Sequence, residues 1–494
     1  MLSGAGPWQL SPLRLPLRPQ PCLWQCFFCD SPSQIPSLLP DARFTKLRCT
    51  SETADLRFLY CPLSCRWECI LFIYSGYMPV IAFLECSRCQ TKISADKYQT
   101  VCPKCAGSLY VRYDMDALRK TAARPQAGGA QSMWRYSDVL PEVNPVTLGE
   151  GWTPMLTSRR NPNVFIKEEA TNPTGSFKAR GMSMAVSMAR RYGLKKLAAP
   201  SAGNAASALA AYAAAAGIEA HIFMPKDVPF ANYLEGIAYG ANVTLVDGLI
   251  SDCGRIVGET IKAQHAEQQA GRLAPEDVWF DVTTLKEPFR VEGKKTMGYE
   301  LVEQLGWSYP DAVFYPTGGG VGLIGMWKAF EEMEQLGWVS GKRPKMIAVQ
   351  SSGCAPVAKA WKEGAPASQM FENAVTFAAG LRVPKPYGDY IILDVVRQSG
   401  GTVVDLPDEI ILESLLYWSR NEGLLLSPEG ATATAAYDHL IETGFLNPND
   451  KVVIFNTGTG LKYVDMIAEA MGVSRPNATR LPERVPVGGI ITPQ

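Results

Sequence analysis

Histidine is almost missing from this chain: His221, His265 and His439 are the only three in 494 residues. A polyhistidine metal centre or a serine–histidine–aspartate triad therefore has few candidates. Net charge is missing as well. Lys+Arg and Asp+Glu stand at 48 each, so no global field draws the chain to nucleic acid or to an acidic membrane. The uncharged run "CILFIYSGYMPVIAFL" at 69–84 has sixteen residues, short of the roughly twenty that a membrane helix needs. No basic segment followed by an apolar run lies near Met1, so a secretory leader is not expected. The expectation is a cytoplasmic protein without a membrane or nucleic-acid partner.

What is present is ordinary for a soluble globular chain: 47% hydrophobic and 19% charged residues. The length suits two or three domains. The cysteines are unevenly spread. Seven of the thirteen fall in residues 1–77, together with nine prolines and no clear apolar period. "CLWQCFFC" at 22–29 has the CxxxCxxC spacing of radical S-adenosylmethionine enzymes, but no repeating strand–helix barrel follows it. Met78 is read as a natural start, with residues 1–77 as an upstream extension. A disordered or membrane-touching tail is the alternative.

Four more cysteines form "CSRC" at 86–89 and "CPKC" at 102–105. Each CxxC lets one turn aim two thiolates at a single ion, and two such knuckles close a tetrahedral site. The spacing reads as a zinc ribbon on Cys86, Cys89, Cys102 and Cys105, with "LYVRYD" at 109–114 as the following strand. No position is left for a substrate, so the metal would be structural. The flanks carry only scattered Lys and Arg, which disfavours a nucleic-acid module. Cys253 and Cys354 remain as single residues suited to a core.

From about residue 164, short apolar runs alternate with helical stretches. "VFIKEEA", "KLAAPS", "EAHIFMP", "DAVFYPTGGG" and "KVVIFNTGTG" each end in turn residues. That alternation implies largely parallel sheets with crossover helices, whose ligands bind beyond the carboxyl ends of the strands. In "YPTGGGVGLIGMWKAF" at 315–330, Gly318, Gly319, Gly320 and Gly322 bare the backbone between a strand and a helix. Free N–H groups and the helix N-terminus there suit a phosphate. No GK[ST] follows, as a Walker loop requires, and no ribose-binding acid stands about twenty residues on. In "NPTGSFKARG" at 172–181, Lys178 sits where a tight loop becomes a helix, a place that ordinarily attracts anions. Read alone, it is as compatible with a solvated surface lysine.

Together, "NPTGSFKARG", "PSAGNAASALAAYAAAAG" from 200, "LKEPFRVEGKKTMGYE" at 285–300, "PTGGGVGLIGMWKAF" and "NTGTGLK" at 456–462 resemble the fold-type II pyridoxal-phosphate (PLP) enzymes, and among them the threonine synthases. The resemblance runs from about residue 86 to 475, and the double CxxC with its "RYD" strand is similar to the N-terminal ribbon of many members. It implies two open, mostly parallel α/β domains of the tryptophan synthase β-like kind, behind a small zinc ribbon. It implies that Lys178 attaches PLP covalently and shuttles protons, that Gly318, Gly319, Gly320 and Gly322 hold the cofactor phosphate, that Asn204 meets the ring hydroxyl and that Thr457 meets the ring nitrogen. Ser201 and Asn204 would bind the substrate carboxylate, and Arg290 and Lys286 its phosphate; either cation read alone is also compatible with solvated surface charge. Ala205 stands where some members carry a threonine. The implied reaction takes O-phosphohomoserine and water to threonine and phosphate, in a homodimer. A serine/threonine dehydratase or a cysteate-synthase-like lyase on the same fold is the alternative. A ribbon-bearing adaptor with an inactive body would keep no reason for Lys178, Asn204 and Thr457 to occur together. The expected boundaries are an extension at 1–77, the ribbon at 78–115, a connecting segment at 116–163, a first α/β domain with the PLP lysine at 164–310, a second with the glycine loop at 311–475, and a tail at 476–494.

Overall fold

The computed structural model describes residues 81–201 and 203–474. The extension at 1–77 with its CxxxCxxC run, the start at Met78 and the tail at 476–494 lie outside the described residues. The end of the uncharged 69–84 run becomes a strand, Ile81–Cys86, with Leu84 fully buried. It pairs antiparallel with Lys92–Ile93 on one side and Leu109–Tyr113 on the other. Leu109, Val111 and Tyr113 alternate inward, as a half-buried strand requires. Among the described residues, no helix is long and apolar enough to cross a membrane.

Two further sheets form the α/β body. The larger has six strands in the order Thr402–Leu406, Lys345–Ser351, Ala312–Pro316, Val452–Asn456, Val164–Glu168 and Met155–Thr157. All of its pairs are parallel except the last. The smaller has four parallel strands in the order Asn242–Val246, Glu219–Pro225, Lys196–Pro200 and Phe280–Asp281. Ala312–Pro316 and Val452–Asn456 are buried at every position, which explains their unbroken apolar sequences.

Sheet membership does not follow the expected division at residue 310. Val164–Glu168 was expected to open the first domain, yet it lies in the larger sheet beside Val452–Asn456, and Met155–Thr157 of the connecting segment joins it. A strand apolar on both faces suits any ladder that covers both. Its sequence does not say which neighbour supplies the hydrogen bonds.

The two sheets are locked around helices that carry buried charge. Arg180, on the helix Lys178–Arg191, bonds both carboxylate oxygens of Glu169 at 2.7 Å, and those of Glu300 at 2.8 and 3.0 Å. Lys167 Nζ reaches Glu300 at 2.5 Å, and all four side chains are fully buried. A second cluster joins the helices Phe289–Gln304 and Val321–Gln335. Lys295 bridges Glu292 at 2.7 Å and Glu332 at 2.9 Å, Lys328 meets the same two carboxylates, and Tyr113 of the ribbon donates to Glu292 at 2.6 Å.

Burial alone would raise the Glu300 carboxyl, but Arg180 and Lys167 hold it well below the usual carboxylate range. Its folded pKa thus lies beneath its unfolded value of about 4.3. The stability it contributes is fully present above that unfolded value and is lost as pH falls toward the folded one.

Removing one charge from such a cluster leaves its partners buried and uncompensated. Glu300→Gln should therefore cost about 3–5 kcal/mol in urea unfolding at neutral pH. Glu259→Gln, which breaks an exposed pair with Arg255, should change stability by less than about 1 kcal/mol. Equal effects of the two substitutions would contradict the assigned weight of the buried cluster.

Candidate active site

The loop that carries Lys178 is fixed at both of its ends by Glu169. Asn172 donates to Glu169 Oε2 at 2.9 Å, and Arg180 grips the same carboxylate. Between them the chain makes a short turn, Pro173–Gly175, with Thr174 at φ 57° and Gly175 at φ 61°. The turn is then stitched to the loop after Val452–Asn456. Phe177 N donates to Thr457 O at 3.1 Å, and Thr459 N donates to Gly175 O at 2.9 Å. These bonds place Lys178 and Thr457, nearly 280 positions apart in sequence, on one cavity of about 520 Å³.

The glycine run forms another wall of this cavity. Gly320 has φ 73° and caps the helix Val321–Gln335, so that helix presents its first N–H groups beside bare backbone. The glycines are also demanded by space. A Cβ on Gly320 would meet Ile392 Cδ1 at 2.3 Å, and one on Gly322 would meet Tyr315 Oη at 1.9 Å.

Asn204 opens the helix Asn204–Ala216 on the opposite wall. Its Nδ2 donates to Tyr463 Oη at 3.1 Å, Tyr463 donates to Glu429 Oε1 at 2.9 Å, and Gly380 N donates to the same oxygen at 2.7 Å. Asn204 Oδ1 is buried without a partner. Ser201 also lines the cavity, but its hydroxyl oxygen accepts from Ala206 N at 2.9 Å. It therefore ties down the first turn of the helix, whose cap residue is Gly203, and a substrate-binding role read from the sequence has to share that oxygen.

Charge on the cavity wall is one-sided. Lys178, Arg255, Lys286, Lys294, Arg382 and Lys385 line it, and Glu429 is the one carboxylate among the described lining residues. Lys178 is half-buried, and its amine is pushed down to about 7 by burial and by the nearby Arg290 charge, with Glu429 acting the other way. Burial, together with Arg290 and Lys178, also holds Lys294 well below the ordinary lysine value. Among the described residues Lys294 makes no ion pair; its Nζ lies 4.6 Å from the centre of the Phe177 ring, which Lys178 also approaches at 4.3 Å. Lys286 lies 3.7 Å from Asp281.

Arg290 departs from expectation. It is 2% exposed and does not line the cavity. Its Nη1 donates to Val282 O at 2.8 Å, while Nε and Nη2 are buried without partners. The helix Phe289–Gln304 turns the guanidinium into the wall and brings Lys294 to the surface of the cavity. Lys294 stands inside the quoted stretch "LKEPFRVEGKKT", but nothing in that string says which of its cations faces inward. Glu429 and Tyr463 also escaped the sequence reading. "SPEG" at 427–430 signals only a helix start, with Ser427 as cap and Pro428 in the first turn.

The four ribbon cysteines meet as their spacing required. Their sulfurs all lie within 4.8 Å of one another, with Cys86–Cys105 at 3.4 Å, Cys89–Cys102 at 3.6 Å and Cys89–Cys105 at 3.4 Å. These separations are far longer than a disulfide bond and near the edge of about 3.8 Å of a tetrahedron with zinc–sulfur bonds of 2.3 Å. The backbone N–H groups of Arg88 and Cys89 donate to Cys86 Sγ.

Comparison with known proteins agrees with this geometry. Residues 146–458 match the family model described as pyridoxal-phosphate dependent enzyme. The threonine synthase of Methanosarcina acetivorans is 33% identical over 387 residues, covering 77% of this chain and 92% of its own length. That of Methanocaldococcus jannaschii is 30% identical over 78% of this chain and 94% of its own. Among solved structures, maize serine racemase aligns with a TM-score of 0.52 at 22% identity, covering 65% of this chain and 93% of that one. The processed form of threonine deaminase isoform 2 from Solanum lycopersicum aligns at 0.51 and 22%, covering 65% and 88%. At that identity the two structures are alike in fold alone.

The cavity electrostatics predict an unusual lysine. In protein stripped of bound small molecules, competitive acylation followed by peptide mass spectrometry should find the Lys178 amine half-reactive near pH 7, against about 10.4 for exposed lysines. A midpoint equal to that of the exposed lysines would contradict the assigned burial and charge.

Proposed function

Because the chain belongs to the pyridoxal-phosphate-dependent enzyme family, and within it to the threonine synthases, we propose that its cavity takes O-phosphohomoserine and water to threonine and phosphate through the residues described above. The observation that carries this assignment is the meeting of a lysine amine near pKa 7 with a bare-backbone helix start and a cation-rich wall in one cavity.

The residues present fit PLP. The cradle at Gly318, Gly319, Gly320 and Gly322 has room for a phosphate where side chains would clash with their surroundings. Asn204 keeps a buried polar atom without a partner, as suits a residue that faces the ring hydroxyl. Thr457 would stand at the ring nitrogen. When bound, PLP supplies the electron sink that lets protons leave the α and β carbons of the substrate. A hydroxyl partner such as Thr457 makes that sink milder than a carboxylate would, which favours elimination and replacement.

The chain's own groups divide the remaining work. Lys178 holds the cofactor through its amine, and once freed that amine takes and returns protons at the α carbon. Asn204 and the first turn of its helix receive the substrate carboxylate, with the Ser201 hydroxyl shaping that turn through Ala206 N. Lys286 and Lys294 receive the substrate phosphate from the cavity side. Arg290, with its Nε and Nη2 unspent, adds positive charge from behind and helps keep the Lys178 amine neutral. Glu429 holds Tyr463, and through it Asn204.

Cys86, Cys89, Cys102 and Cys105 are proposed to hold one structural zinc, supported by their separations and by the backbone donors at Cys86. A homodimer acting in the cytoplasm is proposed on family membership alone.

Purified holoenzyme should release phosphate and threonine in equal amounts from O-phosphohomoserine. Ammonia release from threonine at a comparable rate, with no turnover of phosphohomoserine, would favour the dehydratase instead. Lys286→Ala should raise KM for phosphohomoserine about tenfold, or about 1.4 kcal/mol, without loss of bound PLP. An unchanged KM would remove Lys286 from the phosphate site. Metal analysis should find about one zinc per chain, and Cys102→Ser should lower both zinc content and stability. Metal-free protein prepared without chelator would contradict the zinc site.

A further inference from the structure

The cysteine ribbon touches the cavity rim at a place that folding alone does not explain. Ser87 and Arg88 lie inside the first CxxC knuckle, and Ala106 follows the second. Ser87 Oγ is 2.7 Å from Tyr390 Oη, and the Arg88 guanidinium lies 4.2 Å from the centre of the Tyr390 ring. Tyr387 donates its hydroxyl to Ala106 O. Ala106 has φ 54°, a left-handed geometry that costs a residue with a Cβ and is here imposed by the knuckle turn. Both knuckles therefore grip one short segment, residues 387–390, where a turn enters the helix Asp389–Gln398.

That turn forms part of the cavity. Tyr387, Lys385 and Pro384 line it, and Lys286 Nζ stands 5.9 Å from the centre of the Tyr387 ring. Gly388 packs so closely on Leu285 that a Cβ there would lie 2.2 Å from Leu285 Cδ1. The turn is thus held by the ribbon on one side and packed on the other against the residue next to Lys286.

We propose that Tyr387 is a positioning residue at the substrate end of the cavity, and that the two cysteine knuckles set its place, so that the ribbon governs substrate affinity and access as well as folding. The proposal rests on the reading of the cavity as a phosphohomoserine site for its kinetic arm only. A turn held by two hydroxyls is released by small changes far from Lys178, and the predicted signature is a change in KM with kcat preserved.

The experiment uses zinc-loaded holoenzyme carrying Tyr387→Phe alone, and Ser87→Ala with Tyr390→Phe. Both keep the four cysteines and the aromatic rings. Zinc and PLP contents should match the wild type. Loss of these hydrogen bonds, at ordinary net strength, should raise KM for phosphohomoserine about five- to tenfold, with kcat within about twofold. The rate at which hydroxylamine strips bound PLP should rise by a similar factor, because that small reagent enters through the same mouth. Ser87→Thr with Tyr390 intact, which keeps both hydroxyls, should leave both values at those of the wild type. Removing zinc from the wild type with a chelator should reproduce the faster stripping, and should add little to the double variant. Unchanged KM and stripping rate in the variants would overturn the proposal, as would a fall in kcat that matches the rise in KM. If the wild type does not turn over phosphohomoserine, the functional reading fails by itself, and the hydroxylamine rates still decide the coupling.

Discussion

Everything near the cavity depends on the carboxylate of Glu169. It is fully buried, it takes two bonds from Arg180, and it takes a third from Asn172. Those two residues bracket the loop that presents Lys178. A loop of positive-φ residues would otherwise sample many shapes, and its lysine would wander. With both ends fixed to one carboxylate, the loop presents Lys178 from a held backbone. Glu300 and Lys167 complete the cluster and balance its charge, since two lysine or arginine groups meet two carboxylates. Such a cluster is costly to bury, and here its geometry fixes one turn of backbone against the larger sheet.

The cavity above that cluster has the opposite character. Its lining is rich in cations, four of them paired with carboxylates outside the lining, and its single described lining carboxylate, Glu429, is engaged by Gly380 N and Tyr463. Low-dielectric walls with one sign of charge focus a field on any anion that enters. Burial first, and then the Arg290 charge in the wall, depresses the Lys178 amine. Anion binding and a neutral lysine are therefore two results of one arrangement, and a substrate with two anionic groups suits both.

The parts of this site that were legible in the sequence are those written in local backbone. The glycine run between a strand and a helix, the lysine after a tight loop and the paired CxxC knuckles each need particular residues at fixed spacing, and the structure shows that local geometry at each. Parts that depend on tertiary packing were not legible. Val164–Glu168 joins the larger sheet because its hydrogen-bonding partner is Val452–Asn456, which no local pattern records. Arg290 and Lys294 lie four positions apart on one helix, and only the packing of that helix decides that Lys294 faces the cavity while Arg290 stays in the wall. Glu429 reads as a helix-start acid until Tyr463 and Gly380 are seen against it. The CxxC spacing read as a structural metal site and carried no sign of its neighbours, whereas the knuckles reach Tyr387 and Tyr390 across about three hundred residues of chain.

The central claim is that Lys178, among the several lysines on this cavity, is the one that carries PLP. Reducing the holoenzyme with borohydride fixes the cofactor to whichever amine holds it, and peptide mapping by mass spectrometry then identifies the residue. The account predicts the label on the peptide containing Lys178 and on no other. A label on Lys294 or Lys286, or none on any cavity lysine, would contradict it.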